Sequence, residues 1–108
     1  MDDVERLLRR LALNDEESVG RVLVGDAEGA PGGELAPKLE VFVQLAALMA
    51  LGGATTSLRA AVQRAICAGA SESEIVDVLV AIGPAVGFAR VVATAPRLAV
   101  ALGYDLEE

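Results

Sequence analysis

The sequence predicts an all-α fold, and three observations carry that expectation. Apolar residues recur at intervals of three and four along most segments, the spacing of one helix face. Composition is 54% hydrophobic but only 3% aromatic, dominated by Ala, Leu and Val, and Ala and Leu are among the best helix formers. No stretch shows the strict apolar–polar alternation of a half-buried strand. Gly and Pro punctuate the chain and divide it into six helical segments.

The first segment, "DDVERLLRRLAL", sets Val4, Leu7, Leu8 and Leu11 on one face, with acids in its first turn, where they complement the helix dipole. Asn14 or Asp15 is placed to cap a second helix, "EESVGRVLV". A Gly- and Pro-rich loop follows at 25–36, long for a compact domain and suited to covering a pocket or a neighbouring subunit. Pro37 suits the first turn of a third helix, Pro37 to Leu51. That helix is apolar nearly all round, with only Lys38, Glu40 and Gln44 polar, so it should be central and buried.

Gly52-Gly53 ends the third helix, and Thr55 or Thr56 is placed to cap the fourth. The inner face of the fourth should be Leu58, Ala61, Val62, Ala65 and Ile66, with Gly69 as its left-handed stop. Ser71 and Glu74 form a Ser-x-x-Glu capping box that opens a fifth helix, "ESEIVDVLVAI". Gly83-Pro84 should break or kink it, leaving a sixth helix from Pro84 to Leu102. Pro96 should bend or restart that helix, with Thr94 as a local cap. Gly103 stops it, and "YDLEE" is a tail in which Tyr104 acts as a hydrophobic tether.

At 108 residues the expected organisation is one domain, residues 1–108, with N-terminal helices in 1–24, the loop at 25–36 and a core at 37–103. So short and apolar a chain struggles to hide its own apolar surface, so a homo-oligomer with a substantial interface is expected. Sixteen acidic against nine basic residues give a net charge of −7. That balance opposes binding a phosphate backbone, and nucleic acid is not an expected partner. The small basic cluster Arg6, Arg9 and Arg10 is followed by Asp15, Glu16 and Glu17 and reads as a solvated face.

The N-terminus does not read as a signal peptide. The longest apolar runs, "VFVQLAALMAL" and "VLVAIGPAVGFA", are too short to span a bilayer. A cytoplasmic protein without membrane contact is the expectation. One Cys, Cys67, excludes an intrachain disulfide, and no His is present. No metal site is legible, and no cofactor is expected. Cys67 reads as a small buried hydrophobe at a helix end.

The run "LRAAVQRAICAGASESEIVDVLVAIGPAVGFARVVATAP", from Leu58 to Pro96, resembles the carboxymuconolactone decarboxylase family, whose relatives include the alkylhydroperoxidase D-like proteins. The hallmark is a helix ending in Ala-Gly-Ala/Val-Ser/Thr, an acidic capped helix, then a small-residue helix. The resemblance spans Leu35 to Gly103 and makes 37–103 the family core. It implies a six-helix bundle that assembles as a trimer or hexamer through its central helices. In the peroxidase-like branch it also implies a Cys-x-x-Cys before "LRA" and a His four residues after the second Cys. On that frame Ala54 and Ser57 occupy the thiol positions and Ala61 the His position. The His is usually kept in the decarboxylase branch too, so Ala61 departs from both patterns. The family's third-helix Glu falls near Val41 or Phe42, and Glu40 sits one or two residues early.

Thiol peroxidase chemistry needs an attacking thiolate and a resolving thiol, and neither Ser57 nor Ala54 supplies one. General acid–base work needs a group that titrates near neutrality, which Ala61 cannot be. The polar groups left near this frame are few. Ser57 and Glu40 are weak catalytic candidates. Gln44, Thr55, Ser57 and Arg90 are candidate ligand contacts, since a helix N-terminus favours an anion or carbonyl oxygen and Arg a carboxylate. Plain helix capping explains Thr55, Thr56 and Ser57 equally, and Gln44 could instead satisfy a buried carbonyl or cross an interface. Arg59, Arg64 and Arg97 read mainly as solvated surface. Arg90, in "GFARVV", should pair with Glu40, Asp77 or Glu74.

Three functions follow. One is a non-redox, cofactor-independent, lyase-like protein that acts on or binds a small carboxylated or carbonyl compound. The second is a ligand-binding or scaffold oligomer that has lost catalysis. The third, an alkylhydroperoxidase, is opposed by the residues.

Overall fold

A computed structural model of the protein describes residues 2–24 and 35–104. Among them are six helices and no strand: α1 (Asp3–Ala12), α2 (Glu16–Val24), α3 (Pro37–Leu51), α4 (Thr55–Cys67), α5 (Glu72–Val86) and α6 (Phe88–Ala101). The all-α expectation holds. Most of the Gly/Pro-rich loop and the tail beyond Tyr104 lie outside the described residues. The chain divides into two compact units, Met1–Leu35 and Ala36–Glu108.

In the first unit α1 packs on α2. Asp2 caps α1 by accepting from the Glu5 backbone N–H at 2.7 Å. Of the two expected caps for α2, Asp15 serves: one carboxylate oxygen accepts from the backbone N–H and the hydroxyl of Ser18. These two bonds hold the Asp15 carboxyl below its ordinary pKa. Asn14 instead takes the left-handed turn between the helices, at φ 58°, a conformation Asn tolerates better than most residues.

In the second unit α3 packs against α4, α5 and α6. The core is aliphatic and built at helical spacing: Leu45 and Met49 from α3, Leu58, Ala61, Val62 and Ala65 from α4, Ile75 and Leu79 from α5, Leu98 and Ala101 from α6. Pro37 occupies the first turn of α3 as expected. Burial of α3 is one-sided. Val41, Phe42 and Leu48 pack partly against the core, whereas Leu39, Val43 and Leu51 are exposed. A helix apolar all round cannot be covered on every side by three partners, so its outer face stays bare.

The Ser71–Glu74 capping box forms in both directions: Glu74 N–H donates to the Ser71 hydroxyl, and Ser71 N–H to the Glu74 carboxylate. Glu74 also pairs with Lys38 at 2.9 Å, tying the start of α5 to the start of α3. The Lys38 ammonium lies 5.9 Å from the centre of the Phe42 ring, within cation–π reach. The Ser71 N–H first, and then Lys38, hold the Glu74 pKa below its ordinary value. Tyr104, half-exposed after α6, has its pKa raised by partial burial and by the nearby Glu72 carboxylate.

Three expectations about helix ends need correction. Thr55 and Thr56 do not cap α4. They are its first helical residues, and Ala54 stands at the cap without a side-chain bond. Gly83-Pro84 does not end α5, which runs on to Val86. Proline removes one N–H and so one bond to the preceding turn, but the break comes at Gly87, whose φ of 89° and ψ of 166° suit glycine alone. Pro96 leaves α6 unbroken. Thr94 is not a local cap, because its hydroxyl donates across to the Met49 carbonyl of α3 at 3.5 Å.

That last contact belongs to the joint that sets the bundle. Gly52 ends α3 in the left-handed region, φ 71°, and its N–H and that of Gly53 turn back to the Met49 and Leu48 carbonyls. Arg97 donates to the Gly52 and Gly53 carbonyls at 3.4 Å each. A Cβ on Gly52 would collide with the Arg90 guanidinium. Gly52→Ala should therefore lower stability by about 1–2 kcal/mol, read as a reduced denaturant midpoint at fixed protein concentration. An unchanged midpoint would show that the turn tolerates a side chain.

A second outcome concerns pH. Because the Glu74 pKa is depressed in the folded chain, its stabilising contribution is complete above the unfolded value and is lost as pH falls through the folded one. Glu74→Gln should destabilise the protein at pH 7, and the difference should shrink progressively as the pH falls below about 4. A gap between the two proteins that did not narrow at all as the pH was lowered from about 6 to about 2 would contradict this role.

Candidate functional site

The frame singled out by the sequence is the turn at Gly52-Gly53 and the first half of α4. Thr55, Thr56 and Ser57 form the exposed first turn. Their backbone N–H groups precede any intrahelical acceptor, and the first backbone bond of this turn runs from Leu58 N–H to the Ala54 carbonyl. With no side-chain cap at Ala54, these donors face outward.

Ala61 lies one turn further on and is fully enclosed, at 0% exposure. Its methyl group is part of the aliphatic core with Leu58, Val62 and Ala65. A proton-transferring side chain at this position would therefore sit in the core packing.

The lone thiol stands elsewhere. Cys67 is exposed, which corrects the expectation of a buried hydrophobe. Helix geometry explains it. At about 100° per residue, Cys67 falls on the side of α4 opposite Leu58, and Ile66 at the edge of the buried stripe. Ile66 is likewise 43% exposed rather than on the inner face. Cys67 also lies ten residues beyond Ser57, roughly 15 Å along the axis.

The polar candidates are distributed along two helices. Gln44 is exposed on α3 and Glu40, one turn before it, is half-buried. Gln44 is eight residues before Gly52, roughly 12 Å along the axis. Among the described residues no hydrogen bond joins Gln44, Ser57, Glu40 and Arg90 to one another. Arg90 is half-buried; within the chain Glu74 is held by Lys38, and no carboxylate of the described residues lies within ion-pair distance of Arg90, so the expected partner could only come across an interface. Its guanidinium rests on Gly52 instead.

Arg97, treated above as surface, joins it. Arg90 and Arg97 are seven residues apart, two turns of one helix face, and both reach the Gly52-Gly53 turn. That spacing, with a Gly-Gly turn elsewhere in the chain, was the available signal. The two cations bracket the carbonyl end of α3, where the helix dipole favours positive charge, and they stand beside the N-terminal donors of α4. No group of three His, Cys, Asp or Glu that could hold a metal is found among the described residues. No helix among them is long and apolar enough to cross a membrane.

The family model described as "Carboxymuconolactone decarboxylase family" matches residues 20–100. No curated protein and no solved structure matches the chain significantly. The chain belongs to the carboxymuconolactone decarboxylase family.

The position of Cys67 is open to a direct check. In the native protein a thiol-exchange reagent should label one thiol per chain at the rate of a free solvent-exposed cysteine. Labelling that begins only on unfolding would place Cys67 in a covered surface.

Proposed function

We propose that this member of the carboxymuconolactone decarboxylase family is a non-redox, cofactor-independent homo-oligomer that binds a small carboxylated or carbonyl compound without the family's thiol or imidazole chemistry. The observation that carries the reading is the complete burial of Ala61 at the position where the family frame holds its His. A methyl group neither accepts nor donates a proton. Ala54 and Ser57 at the thiol positions support the same conclusion, since a hydroxyl cannot cycle through a disulfide. Cys67, on the far side of α4, has no second thiol with which to resolve an oxidised sulfur.

What could bind is argued from charge. Arg90 and Arg97 present two guanidinium groups at Gly52-Gly53. The uncapped first turn of α4, with Thr55 and Ser57, adds N–H and O–H donors beside them. Fork-shaped donors next to a helix N-terminus suit a carboxylate. Assembly as a trimer or hexamer through the central helices is part of the proposal. It is supported by the bare apolar residues Val43 and Leu51 on α3, Val80 on α5 and Phe88 and Val92 on α6. Gln44 and Glu40 would then meet a neighbouring subunit rather than open solvent.

Thermal shift against a panel of small mono-, di- and keto-carboxylates tests this. At ten times its Kd a ligand adds about 1.4 kcal/mol, a rise in Tm of several degrees for a chain of this size. Arg90→Gln and Arg97→Gln should each reduce that rise. Hydroperoxide turnover that survives Cys67→Ser, or release of carbon dioxide from a muconolactone acid, would reject the reading.

A further inference from the structure

The N-terminal helix carries a surface that the proposed binding function does not use. α1 lies outside the family-matched span of 20–100. Its apolar stripe, Val4, Leu7, Leu8 and Leu11, is largely bare, with Val4 64% and Leu8 68% exposed and the other two half-buried. A helix of ten residues is marginal in water by itself, and its packing partner among the described residues, α2, leaves the stripe only partly covered.

Charge along α1 says what the partner is. The first turn is acidic, with Asp3 and Glu5, and the last is basic, with Arg9 and Arg10. At about 100° per residue, Asp3 and Arg10 flank the stripe on one side; Glu5 and Arg9 lie on the other, with Arg9 as far round the helix as Arg6. Both pairs are centred on Arg6 and Leu7. We propose that α1 pairs antiparallel with α1 of a second copy about a two-fold axis near Leu7. Each Asp3 then faces the other copy's Arg10.

A parallel pair would set acid against acid and base against base. An isologous antiparallel pair makes every flanking contact attractive. Within one chain Asp3 and Glu5 reach only Arg6 and Arg9, at 3.7 and 3.6 Å and in exposed positions, so they remain free to be shared. Three acids, Asp2, Asp3 and Glu5, balance three arginines, so an anionic lipid surface gains little from this helix.

The test uses the full chain and charge exchange. Asp3→Arg with Glu5→Arg makes the flanks wholly basic, and Arg9→Glu with Arg10→Glu makes them wholly acidic. Each double variant alone should lose association by about tenfold or more in sedimentation velocity at low salt. An equimolar mixture of the two should regain it as a mixed pair, which a folding defect in either variant would not allow. In a Cys67→Ser background, Leu7→Cys should cross-link rapidly between chains and Arg6→Cys should not. The proposal is overturned by association that ignores both reversals, by a mixture no tighter than its components, or by a Leu7→Cys thiol that is slow to label and does not cross-link. That last result would mean the stripe is covered by its own chain.

Discussion

The bundle depends on one joint, the reversal of the chain at Gly52-Gly53 under the face of α6. Four carbonyl groups at the end of any helix lack intrahelical partners. Here the left-handed Gly52 lets two backbone N–H groups fold back to Leu48 and Met49. Thr94 adds a bond to the Met49 carbonyl, and Arg97 bonds to Gly52 and Gly53. Arg90 takes the space a side chain at Gly52 would occupy. The joint thus sets where α4 begins, how α6 lies on α3, and where two positive charges stand relative to the free donors of α4. The side-chain bonds are long, at 3.4–3.5 Å, so each contributes little. The conformation of Gly52 is what makes them simultaneous.

Local rules in the sequence reached the helices well wherever the deciding atoms are neighbours in the chain. The capping box of Ser71 and Glu74, the place of Pro37 and the left-handed turns at Gly52, Gly69 and Gly103 all follow from residues a few positions apart. The failures share a different cause. Pro84 and Pro96 were expected to break or bend helices because each removes an N–H, yet packing of α5 and α6 on α3 carries the helices through. Thr94 was read as a neighbour's cap, while its partner lies 45 residues away. Cys67 was legible and was misread, since its angle from Leu58 on α4 already set it opposite the core.

The candidate site was legible only as a set of absences. The frame around Leu58 identified which positions should carry sulfur and imidazole, and the residues there are Ala54, Ser57 and Ala61. The convergence of Arg90 and Arg97 on the Gly-Gly turn was only half readable: their spacing sets both on one face of α6, but where that face lands depends on the crossing of α3 and α6. The setting of Arg90 within the chain was hidden for a related reason. Among the acidic candidates named for it, Glu74 is taken by Lys38 on α3. The Arg90 guanidinium lies instead in the space left by the missing side chain of Gly52, near the negative end of the α3 dipole, a setting that no charge-pairing rule on sequence anticipates.

The enclosure of Ala61 has a further consequence for how this chain relates to its family. Buried polar groups need hydrogen-bond partners, and an unpartnered one costs on the order of 1–3 kcal/mol. The core to which Ala61 belongs contains Leu45, Met49, Leu58, Val62, Ala65 and Ile75, none of which has a side-chain group able to satisfy two imidazole nitrogens. A histidine at position 61 would therefore be costly where the methyl group of Ala61 is not. Once the surroundings have packed to the volume of alanine, a larger ring must displace them as well as find partners. A proton-transferring side chain therefore cannot be placed at position 61 by one substitution without disturbing the core around it.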